Sequence, residues 1–147
     1  MKRIAPTLTA LALALAAPLC WSADAAAPVV KDAADIDFHA SGSLPPGTEY
    51  HVIYEDPKTH AVELLVRMPK GYSLPAHSHS FDESIYVVKG KVILGFGSEK
   101  KTISAGGYAV IPAGIAFTMD AAGFGGVQMV AAFNGPFDVK LAAPAKP

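Results

Sequence analysis

Between Gly71 and Gly90 the chain places His77, His79 and Glu83, all within seven residues of one another. Imidazole nitrogen and carboxylate oxygen are common donors to first-row transition ions, and a set of two histidines and one carboxylate leaves coordination positions open for chemistry. On an extended strand, side chains two residues apart share a face, so His77 and His79 point the same way. Ser80-Phe81-Asp82 can turn the chain, after which Glu83 begins a neighbouring antiparallel strand. Taken alone, the same three residues also read as two surface histidines and a surface carboxylate. No nucleophile arrangement competes: the chain has no Gly-x-Ser-x-Gly elbow and no phosphate-binding glycine loop.

The segments that position these residues are short and rich in β-branched or aromatic side chains. Tyr50–Tyr54, Ala61–Met68, Ser84–Val88, Val92–Phe96, Lys101–Ser104 and Tyr108–Ile111 are each closed by Gly, Pro or an acidic turn. Ile115–Met119, Val127–Phe133 and Phe137–Leu141 continue the series. Strands at this spacing, with no 3.6-residue periodicity, predict an all-β sandwich or barrel. Gly71 and Gly90 fall at bends where a Cβ is costly, and Pro75 stiffens the approach to His77. No internal repeat or linker divides the chain, and 147 residues suit one domain.

The N-terminus has the pattern of a processing segment. Lys2-Arg3 is followed by an apolar run from Ile4 to Leu19, and Ala23-Asp24-Ala25 offers a small-x-small cleavage site, with Ala25-Ala26-Ala27 as a close rival. The run is too short and too poor in bulky residues for a stable membrane anchor. Residues 1–25 are therefore expected to be a signal peptide, which makes the mature protein periplasmic or secreted. Cys20, the only cysteine, leaves with it, so no disulfide is available in a compartment that permits one. Removing Lys2, Arg3 and Asp24 leaves ten basic and twelve acidic residues, scattered along the chain. That distribution gives no nucleic-acid patch. The tail, residues 142–147, offers little to bury and is expected to be disordered.

Gly71-x5-His77-x-His79-x3-Glu83-x6-Gly90 resembles the first motif of the cupin superfamily, and Gly106-x5-Pro112-x-Gly114 is similar to the start of its second. The resemblance spans residues 36–141, the expected domain. It implies a double-stranded β-helix, a jelly-roll barrel of two sheets, with a metal held in its mouth by His77, His79 and Glu83. The metal so implied is a divalent transition ion: Fe, Mn, Zn, Ni or Cu. It also implies a small-molecule ligand or substrate, and the exposed edges of a jelly roll allow a homodimer.

The second motif departs from the family pattern. Phe117 stands where its ligand histidine is expected, and Ala121 where an asparagine is common. Three readings follow. Three ligands suffice, with Phe117 capping one side of the site. Or a nearby group substitutes, Met119 on the face of Phe117 or Gln128 on the next strand. Or the metal is lost. Phe117, Met119 and Gln128 are accordingly the expected pocket residues, although Phe117 also suits the barrel core and a strand glutamine such as Gln128 also suits the outer face. A divalent ion with one carboxylate leaves a net charge that suits an anionic or enolate-like ligand. The leading expectation is an exported metal-binding cupin, and if it is an enzyme its class is metal-dependent oxygenase or isomerase. The alternative is a non-catalytic, metal-free cupin that binds a sugar or small organic acid against the Phe117 ring. His39, His51 and His60 lack ligand spacing to the motif and are expected on the surface or in loops, with His51 alone in a strand that could reach the pocket.

Overall fold

The computed structural model describes residues 27–142. The expected signal peptide, and residues 143–147 of the expected tail, lie outside the described residues. The compact unit that holds the motifs begins at Asp32. Among the described residues its strands are β1 (His39–Ala40), β2 (Glu49–Glu55), β3 (Val62–Met68), β4 (Ser73–Ser78), β5 (Glu83–Lys89), β6 (Lys91–Phe96), β7 (Glu99–Ser104), β8 (Tyr108–Ile111), β9 (Phe117–Ala122), β10 (Val127–Phe133) and β11 (Lys140–Leu141).

They form two antiparallel sheets, ordered β1-β2-β3-β10-β5-β8 and β11-β4-β9-β6-β7. This is the all-β jelly-roll arrangement the sequence predicts. Alternation along the strands builds the core. Val62, Leu64, Val66 and Met68 of β3 are buried, as are Val127, Met129, Ala131 and Phe133 of β10. From the other sheet Leu74, Val92, Leu94, Phe117, Met119 and Ala121 meet them. Each fully buried large side chain of this kind contributes about 1.5–3 kcal/mol. The edge strand β7 carries Glu99, Lys100 and Lys101 exposed, and such charges discourage edge-to-edge pairing.

Gly90 turns β5 into β6 at φ +82°, and a Cβ there would collide with the Gly126 carbonyl. Gly71 needs its positive φ of +75° and nothing else, since a Cβ would meet no neighbour. The first motif thus begins and ends at two left-handed turns that L side chains rarely adopt.

Three details differ from the sequence reading. Glu83 does begin an antiparallel strand, but β5 does not pair with β4. β4 pairs with β9 and β11, whereas β5 pairs with β10 and β8. Ser80-Phe81-Asp82 therefore forms a corner between sheets rather than a hairpin turn. The run Ile115–Met119 starts as a turn, because Gly114 N–H donates to the His79 carbonyl and Ile115 N–H to that of Pro112. Its strand begins at Phe117 and continues to Ala122. Of Phe137–Leu141, only Lys140–Leu141 pairs, since Asp138 is engaged with the corner.

Candidate functional site

β4 ends at Ser78, so His77 is the last inward side chain of the strand and His79 the first residue of the corner. Both are buried, at 2% and 5% exposure, and Glu83 at 4% opens β5 across the barrel. His77 Nδ1 lies 2.9 Å from the Pro75 carbonyl. His79 Nδ1 contacts the Asp138 carbonyl. A carbonyl only accepts, so each Nδ1 carries the proton and each Nε2 presents a bare lone pair. His79 Nε2 faces Glu83 Oε2 at 3.5 Å, and that oxygen has no hydrogen-bond partner. The two rings stand edge to face, with centroids 5.1 Å apart.

The corner is pinned from two other segments. Asp138 accepts from Ser80 N–H at 2.8 Å and from the Ser80 hydroxyl at 2.6 Å. Asp82 accepts from Ala113 N–H and from the Asn134 side-chain amide, while Asn134 Oδ1 accepts from Asp82 N–H. The loop of the second motif and the strap after β10 therefore fix where His79 and Glu83 stand. Phe133 and Phe137 pack on His79, with centroids 4.9 and 5.9 Å away.

Burial sets the protonation states. It pushes the Glu83 carboxyl up to about 8, because an ion is poorly solvated there. It lowers both imidazoles, against the opposing pull of the Pro75 and Asp138 carbonyls. Asp138 moves the other way, held low by its bonds from Ser80.

These groups open on a cavity of ≈360 Å³ whose wall includes Leu64, Val66, Leu74, Met119, Met129 and Phe133. Met119 is thus in the pocket. Phe117 is 1% exposed and sits beside the cavity rather than on its surface, its ring 4.2 Å from that of His77. Gln128 is not a pocket residue and takes the outer-face alternative instead. β10 alternates buried and half-buried positions, and Gln128 falls on the outward set, lining a separate groove with Arg67 and Lys89. His51 is also turned away, its Nδ1 at 2.9 Å from the Asp37 carbonyl. His60 does the reverse: it lines the cavity, paired to Glu55 at 2.8 Å. Its spacing gave no sign of this, because β2 and β3 bring the turn between them over the mouth. Thr48 and Asp138 were likewise invisible to motif reading, lying in segments without pattern.

A family model described as "Cupin domain" matches residues 64–133, the span that holds both motifs and the strands from β3 to β10. Residues 64–133 thus form a cupin domain. The cupin fold recurs in solved structures at low identity. The polyketide cyclase RemF of Streptomyces resistomycificus shares 15% identity over 82% of this chain and 89% of its own, with a TM-score of 0.69. KdgF of Halomonas sp. shares 18% over 76% and 97%, with a TM-score of 0.64. A candidate acetylacetone dioxygenase of Methylibium petroleiphilum shares 18% over 82% and 86%, with a TM-score of 0.63. At such identities the common property is the fold, which is carried by enzymes among other proteins. No curated protein matches the chain in sequence.

Among the described residues, no group of three or more His, Cys, Asp or Glu side chains is gathered as a metal-holding cluster. The donor chemistry nevertheless fits an ion. His79 Nε2 and the unpartnered Glu83 Oε2 face one another at 3.5 Å, and two acceptors so placed need a proton or a cation between them; His77 adds a second bare Nε2.

Proposed function

We propose that this is an exported cupin, periplasmic or secreted, that binds a divalent transition metal through His77, His79 and Glu83 and admits a small molecule to the cavity beside it. The observation that carries the reading is the pairing of two histidines, each fixed as its Nδ1–H form, with a buried carboxylate oxygen that has no partner. Backbone carbonyls that orient imidazoles in this way are the usual outer support of metal-ligating histidine. The export part of the proposal rests on Lys2-Arg3, the apolar run and the Ala23-Asp24-Ala25 site.

The activity this arrangement supports best is that of a metal-dependent oxygenase or isomerase. The ion, when bound, would supply Lewis acidity to a substrate oxygen. Glu83 holds a proton at neutral pH in the metal-free protein and, freed of it, can ligate or accept a proton from substrate. His77 and His79 stay neutral, because burial opposes their charging. Phe133 and Phe137 keep water from the face of His79. The named neighbours, a polyketide cyclase and a candidate dioxygenase, are in keeping with a small organic substrate.

Phe117 favours a second reading, a metal-free cupin that binds a sugar or small organic acid. Its ring occupies the side of His77 where a further donor would stand. Metal content decides between the two. The mature protein, purified from its native compartment, is expected to hold close to one equivalent of a transition ion, and His77→Ala to hold almost none. A native protein free of metal that also declines added Fe, Mn, Ni, Cu and Zn would leave only the second reading.

A further inference from the structure

Among the described residues, two buried side-chain polar atoms have no hydrogen-bond partner, Glu83 Oε2 and Thr48 Oγ1. Both residues line the same cavity. They stand at opposite ends of it. Glu83 pairs across β5 and β10 with Phe133, which pairs with Val62 at the start of β3. Glu49 pairs with Arg67, and this sets Thr48 beside Met68 at the far end of the same strand. Val62 and Met68 are six residues apart, roughly 20 Å of strand. The wall between them is apolar: Leu64, Val66, Leu74, Met119, Met129 and Ala131.

Thr48 is 2% exposed, and its backbone is fixed on both sides. Its carbonyl accepts from Ser41 N–H at 3.0 Å. Gly47 before it lies against the Tyr72 ring, whose hydroxyl donates to the Pro45 carbonyl at 2.9 Å. Valine has nearly the same shape and would fill this wall without stranding a polar atom, so the hydroxyl calls for a partner. The methionines beyond Met1 are Met68, Met119 and Met129, and all three line the cavity. Their unbranched thioethers adapt to a flexible apolar body better than to one rigid ring.

We propose that the cavity takes an elongated, mainly apolar molecule with an oxygen function at each end, one beside His77, His79 and Glu83 and one at Thr48. The first contact rests on the metal-site reading above; the second does not. A cavity of ≈360 Å³ lies in the range of small-molecule sites, about 300–1,000 Å³. Thr48 is then a specificity residue that selects for the distal oxygen.

The test is calorimetry with the straight-chain acids from hexanoic to dodecanoic and their ω-hydroxy derivatives, on protein with and without added divalent metal. At the best-fitting length, the ω-hydroxy acid is expected to bind about three- to tenfold tighter than its parent acid. Thr48→Val should erase that preference and Thr48→Ser should keep it. Thr48→Val should also melt no lower than the native protein, since it removes an unpaired hydroxyl and changes little volume. His77→Ala should weaken acid and hydroxy acid by one factor and leave their ratio intact. The proposal is overturned if no member of either series binds, if the ω-hydroxyl brings no gain, or if the gain survives Thr48→Val. Protein that takes up no metal yet keeps the Thr48-dependent preference would overturn the metal reading and leave this one standing.

Discussion

The two cupin motifs meet at one wall of the barrel and are built on opposite principles. The corner from β4 to β5 buries three groups able to ionise, and it orients two of them by hydrogen bonds to the Pro75 and Asp138 carbonyls. The segment from Pro112 into β9 contributes a ring. Phe117 packs on His77 and Phe96, and Met119 and Ala121 continue its apolar face. One side buries ionisable groups at the expense of stability, and the other supplies stability with no ligand atom. Retaining one motif and replacing the other gives a site whose donors come almost wholly from one corner.

The strongest way to break this comparison is on the apolar side. Phe117→Ala removes a fully buried ring and should destabilise the protein by about 3–5 kcal/mol, measured by denaturant unfolding. A loss below about 1 kcal/mol would mean the ring is not part of the core. The polar side should show the opposite sign of dependence, on pH. The folded state of the metal-free protein holds the Glu83 proton more tightly than the unfolded state, in which the carboxyl returns to its ordinary value near 4.5. The Glu83 contribution to stability therefore falls as pH rises from about 4.5 to about 8 and levels off above that, while His77 and His79, kept neutral by burial, contribute in the opposite sense up to the ordinary imidazole value near 6.5. Glu83→Gln should flatten the slope. An unchanged slope in that variant would assign it to other groups.

Exchanging the two principles is the next test. Phe117→His places an imidazole beside His77 and should tighten divalent-metal binding at least tenfold, about 1.4 kcal/mol, while lowering the stability of the metal-free protein. No gain in affinity would show that the position does not face the ion. The affinity should also climb with pH well past the imidazole range. Metal binding must expel the Glu83 proton, so the rise is expected to continue to about pH 8. The smallest effect belongs to the support. Asp138→Ala cuts both bonds to Ser80 and should cost about 1 kcal/mol. It should weaken metal binding more than the remote Asp120→Ala, whose side chain bonds only Ser73.

Much of this was legible in the chain because it is local. Alternation of apolar residues, the glycine turns and the i, i+2 histidines each follow from backbone geometry over a few residues. They foretold an all-β barrel with His77 and His79 on one face. Pairing was less legible. Nothing in Ser80-Phe81-Asp82 distinguishes a hairpin turn from a corner between sheets, because the choice depends on which distant strands compete for β4 and β5. Gln128 was more legible: the apolar alternation of Val127, Met129, Ala131 and Phe133 already sets it on the opposite face.

By itself, the sequence determined the fold class, the strand-forming runs, the first motif and the replacement of a ligand position by Phe117. Those depend on residue type and spacing. Only the tertiary structure decided that β4 and β5 lie in different sheets, that the Asp138 carbonyl orients His79, that His60 and not His51 reaches the cavity, and that Thr48 stands at its far end. Each of these joins residues brought together by strand pairing, and pairing is settled by the burial of the whole barrel rather than by any one segment.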